Sequence, residues 1–325
     1  MSRGLNVRYL VVLTTLLALL RPSAGEPSKS ATPFAIRVTL LGTGNPRPSM
    51  TRFGPSILVE AGTKRILVDA GRGATQRLFS LGDGMLSGID LILLTHLHSD
   101  HVVGLPDLWL TGWIFGREKP LLVRGPEGTA AMMSHLKAAY AFDIGVRRDV
   151  DERFPAAGIE VDASDLRSGT SFELDGVKIT AFAVDHGVVK PAYGYRIDYA
   201  GRSVVFSGDT RPSRALVENA RGVDVLIHEV VVPSVEMMRS AVADATRVQR
   251  IIDHHTTPED AGRIFAEVKP RLAVYSHIVP SPAAAKDLEG PTRKTYAGRL
   301  VVGEDLMVID VGERVEVRKR ARAGE

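Results

Sequence analysis

The chain has 325 residues, of which 44% are hydrophobic, 24% charged and 6% aromatic. This is enough for one large domain or two small ones, with a core built mainly from aliphatic side chains. The 41 basic residues exceed the 38 acidic ones by three. Proteins that bind a polyanion such as nucleic acid usually carry a larger excess of basic residues. Because the sequence has no cysteine, disulfides and thiolate ligands are excluded, and any metal site must use His, Asp or Glu.

The N-terminal residues have the pattern of a secretory signal. Two arginines precede an apolar-to-neutral run over 9–20, and small residues at 23–25 offer a cleavage site. The run is short for a membrane span, and an uncleaved anchor is the alternative. We predict a signal peptide over 1–25, a spacer over 26–33, and a periplasmic or secreted protein without stable membrane association after cleavage. Cleavage would remove three arginines and leave the mature protein close to neutral.

Beyond the spacer, apolar periodicity predicts alternating strands and helices with no linker that would divide domains. In the first half, the predicted elements are strand 36–41, a hairpin of 57–60 and 65–68, helix 74–81, a buried strand over 89–94, and helix 126–140. Residues 141–170 are poorly patterned and rich in charge, which predicts a surface loop or insertion.

The second half predicts further strands over 177–184, 203–206, 223–227 and 272–275. Thr257, Pro258 and Asp260 match the N-cap, the first position and the acidic third position of a helix that runs to about Val268. We therefore predict one domain over 34–318, followed by a basic tail over 319–325.

The stretch Thr-His-Leu-His-Ser-Asp-His at 95–101 is the most informative part of the chain. It places three imidazoles and one carboxylate directly after a buried strand, and three further candidates follow later apolar strands. A single histidine after a strand is more commonly a packed core residue, but functional groups at strand ends converge on one crevice. The candidate ligands are His96, His98, Asp100, His101, His186, Asp209 and His277. Seven ligands suit two ions, and imidazole with carboxylate favours two Zn²⁺, with Mn²⁺ or Fe as alternatives.

The ligand run at 95–101 and the three downstream ligands resemble the metallo-β-lactamase superfamily over residues 36–311. The resemblance implies an α/β fold, an αββα four-layer sandwich of two mixed β-sheets flanked by helices. It also implies a first metal on His96, His98 and His186, a second on Asp100, His101 and His277, and Asp209 as the bridge.

Shorter motifs resemble ribonuclease Z and its relatives. They are Leu-Gly-Thr-Gly near 41, Val-Asp-Ala-Gly at 68–71, Gly-Tyr-Arg-Ile at 194–197, Ser-Gly-Asp-Thr-Arg-Pro at 207–212, Leu-Ile-His-Glu at 226–229 and His-Thr-Thr at 255–257. Two others, at 110–113 and 191–195, look more like exported members described as arylsulfatases. The Gly/Pro-rich arm by which many ribonucleases Z hold tRNA is not evident, and its expected place at 141–165 carries several acids. We therefore predict a small anionic ester as the partner, rather than nucleic acid.

The resemblance implies hydrolysis by a hydroxide that bridges two metal ions. It also implies that Asp100 is a catalytic residue as well as a metal ligand. His255 matches the proton donor of ribonuclease Z, and a structural role at the helix entry is the alternative. His228 and Glu229 are predicted to orient that donor, and a simple buried hydrogen-bonded pair is equally consistent with the sequence.

The leading hypothesis is an exported di-zinc hydrolase of sulfate or phosphate esters, of arylsulfatase or phosphodiesterase type. The alternatives are a ribonuclease Z-type 3′-tRNA processing endoribonuclease, a lactonase or β-lactamase, and a non-hydrolytic metal-binding or di-iron redox protein. The oligomeric state stays open between a monomer and a homodimer.

Overall fold

The structure, a computed structural model, describes residues 34–233, 244–280 and 285–319. The predicted signal peptide, the spacer and all of the basic tail except Lys319 lie outside the described residues, so these boundaries stay predictions. In the part of the chain that is described, no helix combines the length and apolar character needed to cross a membrane.

The first of two mixed β-sheets has eight strands. They are β1 (Ile36–Gly42), β2 (Ser56–Ala61), β3 (Lys64–Val68), β4 (Leu91–Leu93), β5 (Leu121–Gly125), β6 (Val161–Asp165), β14 (Met307–Val311) and β15 (Val315–Arg318). Their order across the sheet is β15-β14-β1-β2-β3-β4-β5-β6. Strands β3 to β6 run parallel, and the remaining pairs are antiparallel.

The second sheet has seven strands. They are β7 (Ser171–Leu174), β8 (Val177–Ala183), β9 (Tyr193–Tyr199), β10 (Arg202–Phe206), β11 (Val225–Val231), β12 (Leu272–Val279) and β13 (Leu300–Val302). Their order is β13-β12-β11-β10-β9-β8-β7. Strands β10 to β13 are parallel, and β9 is antiparallel to both β8 and β10. Strand β8 therefore points the same way as β10 to β13, and the carboxyl ends of these strands lie at one edge of the sheet.

The helices cover the outer faces of the two sheets. They are α1 (Ala74–Phe79), α2 (Ser99–Val102), α3 (Leu105–Ile114), α4 (Thr129–Ala139), α5 (Ala141–Gly145), a π-helical turn (Val146–Val150), α6 (Ala156–Ile159), α7 (Arg214–Asn219), α8 (Ala245–Asp253), α9 (Pro258–Val268) and α10 (Ala285–Thr292). Thr257 caps α9, because its Oγ1 accepts a hydrogen bond from the backbone N–H of Asp260, and Pro258 follows at the first position. This start of α9 confirms the helix predicted there.

The core has three apolar layers, which define the four-layer arrangement. The central layer joins the inner faces of both sheets and includes Val38 and Ile66 of the first sheet and Val204 of the second. A second layer packs α1, α3 and α4 on the first sheet around Trp109. A third packs α7, α9 and α10 on the second sheet around Phe265. Central strands buried on both faces explain the near-continuous apolar runs in the sequence, and the predicted αββα sandwich is confirmed.

The prediction of a surface loop or insertion over 141–170 is wrong about the loop, because the segment has regular secondary structure. This segment forms α5, the π-helical turn, α6 and β6, and β6 is the edge strand that pairs in parallel with β5. Strand β6 has mostly half-buried or exposed residues, so it lacks the apolar alternation by which a strand is recognised in sequence.

Candidate metal centre

The seven predicted ligands come from four separate segments of the chain, and the structure brings them together. The loop after β4 carries His96 and His98, and α2 directly after it carries Asp100 and His101. All seven are buried except His98, which is partly exposed. The loops after β8 and β10 and the carboxyl end of β12 supply the other three, His186, Asp209 and His277.

Three imidazoles on one side of the cluster face one another through their ring nitrogens. Nδ1 of His98 lies 3.0 Å from Nε2 of His96 and 3.4 Å from Nε2 of His186. Oδ2 of Asp209 is 3.8 Å from Nε2 of His96 and 3.9 Å from that of His186. One ligand atom from each of these four residues lies within 4.8 Å of the others, so this group can hold one cation.

The second group lies on the other side of the same Asp209 oxygen. Oδ2 of Asp209 is 3.3 Å from Nε2 of His101 and 3.5 Å from Nε2 of His277. Oδ2 of Asp100 lies 3.3 Å from Nε2 of His277 and 3.7 Å from Nε2 of His101. Asp209 therefore lies between the two groups, at the position expected of a carboxylate that bridges two cations.

Hydrogen bonds from outside the cluster orient two of its histidines. Nδ1 of His101 donates to Oδ2 of Asp69 at 2.7 Å, and Thr95 donates its N–H and hydroxyl to the same carboxylate. Nδ1 of His186 donates to the carbonyl of His254 at 2.9 Å. In both rings Nε2 faces the cluster, and an outer partner at Nδ1 is the usual way in which the orientation of a metal ligand is fixed.

The backbone is strained at two of these residues. His277 has a φ of 43° and Asp69 a φ of 60°, in the left-handed region that non-glycine residues rarely adopt. His277 lies opposite the point where the register between β11 and β12 shifts. Such conformations cost about 1–3 kcal/mol each and persist where the surrounding structure enforces them, most often at functional sites.

An ion pair ties two of the ligand loops together. Nη2 of Arg211 lies 2.7 Å from both carboxylate oxygens of Asp185, and the backbone N–H of Arg211 donates to the Asp185 carbonyl. Asp185 precedes His186, and Arg211 lies two residues after Asp209. Arg211 therefore forms a salt bridge between the two loops.

The charge states of the cluster suit cation binding. Burial lowers the pKa of His96, His98 and His186, so these imidazoles are neutral and can act as ligands. Burial opposes the ionisation of Asp209, but His277 and His101 outweigh it and hold its pKa well below the ordinary value.

Several polar atoms of the cluster are buried without a hydrogen-bond partner. They include Nε2 of His101, Oδ1 of Asp209 and Nδ1 of His277. Leaving a buried polar atom unpaired costs about 1–3 kcal/mol. A cation in the cluster would be a partner for Nε2 of His101 and for Oδ1 of Asp209. The donor set of five imidazoles and two carboxylates therefore fits two divalent cations of the zinc type.

His255 lies beside the cluster and is held by Glu229. Nδ1 of His255 is 3.2 Å from Oε1 of Glu229, and a ring nitrogen of His255 lies within 4.8 Å of ligand atoms of Asp209 and His277. Burial alone would lower the pKa of His255, but the Glu229 carboxylate raises it to about 9. The imidazole is therefore protonated at neutral pH, as a proton donor must be.

The contacts of His228 differ from those of Glu229. Nδ1 of His228 is 2.6 Å from the Glu229 carbonyl, and its fully buried ring packs edge-on against Phe265. Burial lowers its pKa. These contacts are those of a buried core histidine, and a part in orienting His255 stays a prediction for His228.

Sequence reasoning missed two backbone groups of the site. Oε1 of Glu229 accepts the N–H of Thr210 at 3.1 Å and the N–H of Thr256 at 3.0 Å. Thr210 follows the bridging aspartate and Thr256 follows His255, so one carboxylate fixes both loops. No side-chain pattern reveals a backbone donor, although the position of each threonine directly after a candidate residue is a usable signal.

An αββα sandwich with a cluster of His and Asp that could hold two cations at the edge of its sheets defines a class, the hydrolases of metallo-β-lactamase fold. The profile of the "Beta-lactamase superfamily domain" family matches residues 64–278. The chain belongs to this superfamily.

Its curated relatives include ribonucleases Z from mycobacteria. Ribonuclease Z of Mycobacterium avium (strain 104) is 39% identical over 283 residues, which cover 85% of this chain and 98% of the relative. Ribonuclease Z of Mycobacterium bovis is 35% identical over 286 residues, which cover 86% of this chain and 99% of the relative.

Solved structures agree on the fold. A metallo-β-lactamase fold protein of Bacillus subtilis superposes with a TM-score of 0.65 at 18% identity, over 84% of this chain and 98% of that one. The short form of human tRNase Z gives a TM-score of 0.60 at 23% identity, over 85% of this chain and 99% of that one.

These relatives correct two predictions. The leading hypothesis of a sulfate or phosphate ester hydrolase of arylsulfatase or phosphodiesterase type is wrong. Relatives at 35–39% identity over most of the chain are ribonucleases Z, which favours the ribonuclease Z-type alternative. The expectation that nucleic acid is not a partner conflicts with the same relatives. It rested on the small basic surplus and on the lack of a Gly/Pro-rich arm at 141–165, whereas phosphate groups can be bound by a few cations beside a site.

Proposed function

We propose that the protein is a metal-dependent endoribonuclease of ribonuclease Z type, which hydrolyses a phosphodiester bond in tRNA-like RNA. The observation that carries this proposal is the meeting of seven ligands in two groups, with Asp209 between the groups and His255 beside them. The substrate class is supported by alignment with nearly the full length of ribonucleases Z.

We propose Zn²⁺ as the metal, with Mn²⁺ or Fe as alternatives, because the donor set is rich in imidazole. His96, His98 and His186 would hold the first ion, Asp100, His101 and His277 the second, and Asp209 would bridge them. Bound ions would supply Lewis acidity at the phosphoryl group and a nucleophile at neutral pH.

The residues of this chain contribute proton transfer and positioning. His255 holds the proton that the leaving oxygen of the RNA needs, and Glu229 keeps that imidazole charged and oriented. The same Glu229 oxygen accepts hydrogen bonds from the N–H groups of Thr210 and Thr256. Glu229 therefore fixes the loop of Asp209 relative to the loop of His255. Positioned proton transfer of this kind contributes about 10²–10⁴-fold to a rate.

A groove beside α2 offers a surface for the rest of an RNA substrate. Its volume is about 470 Å³, and its lining includes Arg47, Arg72 and Phe53 together with the largely exposed Met50. Guanidinium groups contact phosphates and aromatic faces stack on bases. The carbonyl of Asp100 lies against the backbone at Gly71, next to Arg72, so this groove adjoins the metal centre.

The test is cleavage of a tRNA precursor with a 3′ trailer by the purified protein. Cleavage at the trailer junction that is abolished by chelator and restored by Zn²⁺ supports the proposal. His255→Asn should lower the rate about 10²-fold or more, while His135→Asn, at an exposed histidine of α4, should not change it.

A small aryl phosphodiester separates chemistry from RNA binding. Arg72→Glu should weaken cleavage of the precursor and leave hydrolysis of the small ester unchanged. Metal-dependent turnover of the small ester with no cleavage of RNA would overturn the proposed substrate.

The place of action is a separate proposal. On the signal pattern at 1–25, we propose that the mature protein is periplasmic or secreted. Cell fractionation with a mass measurement of the mature N-terminus tests this directly. A shortened chain outside the cytoplasm would support export and remove cytoplasmic tRNA precursors as the physiological substrate, whereas a full-length cytoplasmic chain would refute export.

A further inference from the structure

Beside the seven ligands lies a second histidine cluster, formed by His186, His254 and His255. One ligand atom of each lies within 4.8 Å of the other two. The ring centroids are 4.9 Å apart for His186 and His254, 5.2 Å for His186 and His255, and 4.8 Å for His254 and His255. Only His186 belongs to the seven predicted ligands, so the cluster adds two imidazoles at the edge of the centre.

His186 cannot serve both clusters with separate atoms. Its Nδ1 donates to the carbonyl of His254, and its Nε2 faces His98 and Asp209 in the first metal group. His254 and His255 are therefore the donors that stay available when the first cation is bound. An ion held by these two would lie next to the first ion and beside the proton donor.

His254 is reachable from solvent and can act as a ligand. Its side chain is half-buried at the rim of the site, and a neutral imidazole at this place offers a ring nitrogen to a metal. An ideal Cβ at the neighbouring Gly187 would lie 3.2 Å from Cβ of His254, so a side chain there would crowd this imidazole.

The distances require only a modest adjustment. Nitrogen ligands of tetrahedral zinc, at about 2.0–2.1 Å from the ion, lie about 3.3 Å from one another. The present separations are within 4.8 Å. His254 follows directly after α8 on a loop, where a half-buried side chain can move by the ångström or so that is needed.

We propose that His254 and His255, next to His186, bind an additional zinc ion when zinc is in excess, and that this ion inhibits the enzyme. A ring nitrogen that binds a metal ion cannot also hold the proton for the leaving oxygen, so an ion on His255 would block the proposed proton donor. The inhibition rests on the proposed function, whereas the additional metal site does not.

The experiment starts from protein loaded with two equivalents of zinc and adds zinc alone. Bound metal is measured by equilibrium dialysis and elemental analysis, and cleavage of the RNA substrate is followed in parallel. The variants are His254→Asn and His254→Gln, two polar replacements at a half-buried position, with His135→Asn as the matched control. Circular dichroism verifies that each variant is folded.

The wild-type protein should take up a third equivalent and lose activity over the same range of zinc concentrations. His254→Asn and His254→Gln should keep two equivalents and the basal rate, and should bind the third equivalent about tenfold more weakly or worse. The control should behave as the wild type does. A third equivalent that binds equally well to both His254 variants, or no third equivalent in the wild type, would overturn the proposal. The number of bound zinc ions is measured without an activity assay. A failure to cleave RNA would therefore refute the proposed function, and the test of the additional metal site would still be valid.

Discussion

Replacing Glu229 by glutamine separates the charge of this buried side chain from its shape. Its Oε1 accepts the N–H groups of Thr210 and Thr256 and lies 3.2 Å from Nδ1 of His255. Glutamine keeps an acceptor for the two backbone donors and loses the negative charge opposite His255. The substitution therefore isolates the contribution of the ion pair.

The magnitude follows from the pKa of His255. Burial alone would lower this pKa, and Glu229 raises it from the ordinary 6.5 to about 9. That difference corresponds to about 3 kcal/mol. Because the folded-state pKa lies above the unfolded one, the stabilisation is fully present below about pH 6.5 and is lost as pH rises through about 9. Glu229→Gln should thus lower the free energy of unfolding by about 3 kcal/mol near pH 6 and far less above pH 9.

The assay is urea unfolding of the chelator-treated protein across this pH range, with the His255 ring signals followed by NMR. Glu218→Gln is the control, because this exposed carboxylate pairs with Arg214, and it should show no comparable pH dependence. A loss of stability by Glu229→Gln that is the same at pH 6 and pH 9.5, or an unchanged pKa of His255 in this variant, would refute the reasoning.

Three further substitutions test the fold, each by urea unfolding. Trp109→Ala should cost about 3–5 kcal/mol, because the indole is fully buried, and a cost below 1 kcal/mol would contradict its place in the core. Thr257→Ala should cost about 1 kcal/mol through loss of the α9 cap, while Thr257→Ser, which keeps the hydroxyl, should cost less. Arg211→Met should cost under about 1 kcal/mol, because Arg211 and Asp185 are 43% and 48% exposed, and a loss above 2 kcal/mol would show a larger structural role.

The elements that were predicted correctly have local signals. Helix α9 carries its own cap, proline and acidic first turn within four residues, and β4 is an apolar run that ends at the ligands. Strand β6 was missed because its evidence is a long-range pairing with β5 at the edge of the sheet. Helix α3 was not predicted either, since its apolar residues surround much of the helix and give little periodicity.

The candidate site was more predictable than the fold around it. Each ligand follows an apolar strand, and strand ends converge in this class of sheet, so the assembly of distant ligands could be expected. The contacts that orient the ligands could not be predicted from the sequence, because the His254 carbonyl and the Thr210 N–H are backbone groups without a side-chain signature. The prediction of a small ester rather than nucleic acid was wrong because neither net charge nor the lack of a recognisable arm at 141–165 says which cations lie beside the site.

Elemental analysis of the folded protein, with Asp209→Ala beside the wild type, tests the two-cation centre most directly. We expect two zinc-type ions per wild-type chain. In the variant we expect at most one ion and loss of RNA cleavage, because Oδ2 of Asp209 lies between both ligand groups. A fully loaded wild-type protein with a single ion, or an Asp209→Ala variant that keeps two ions and full activity, would contradict the centre described above.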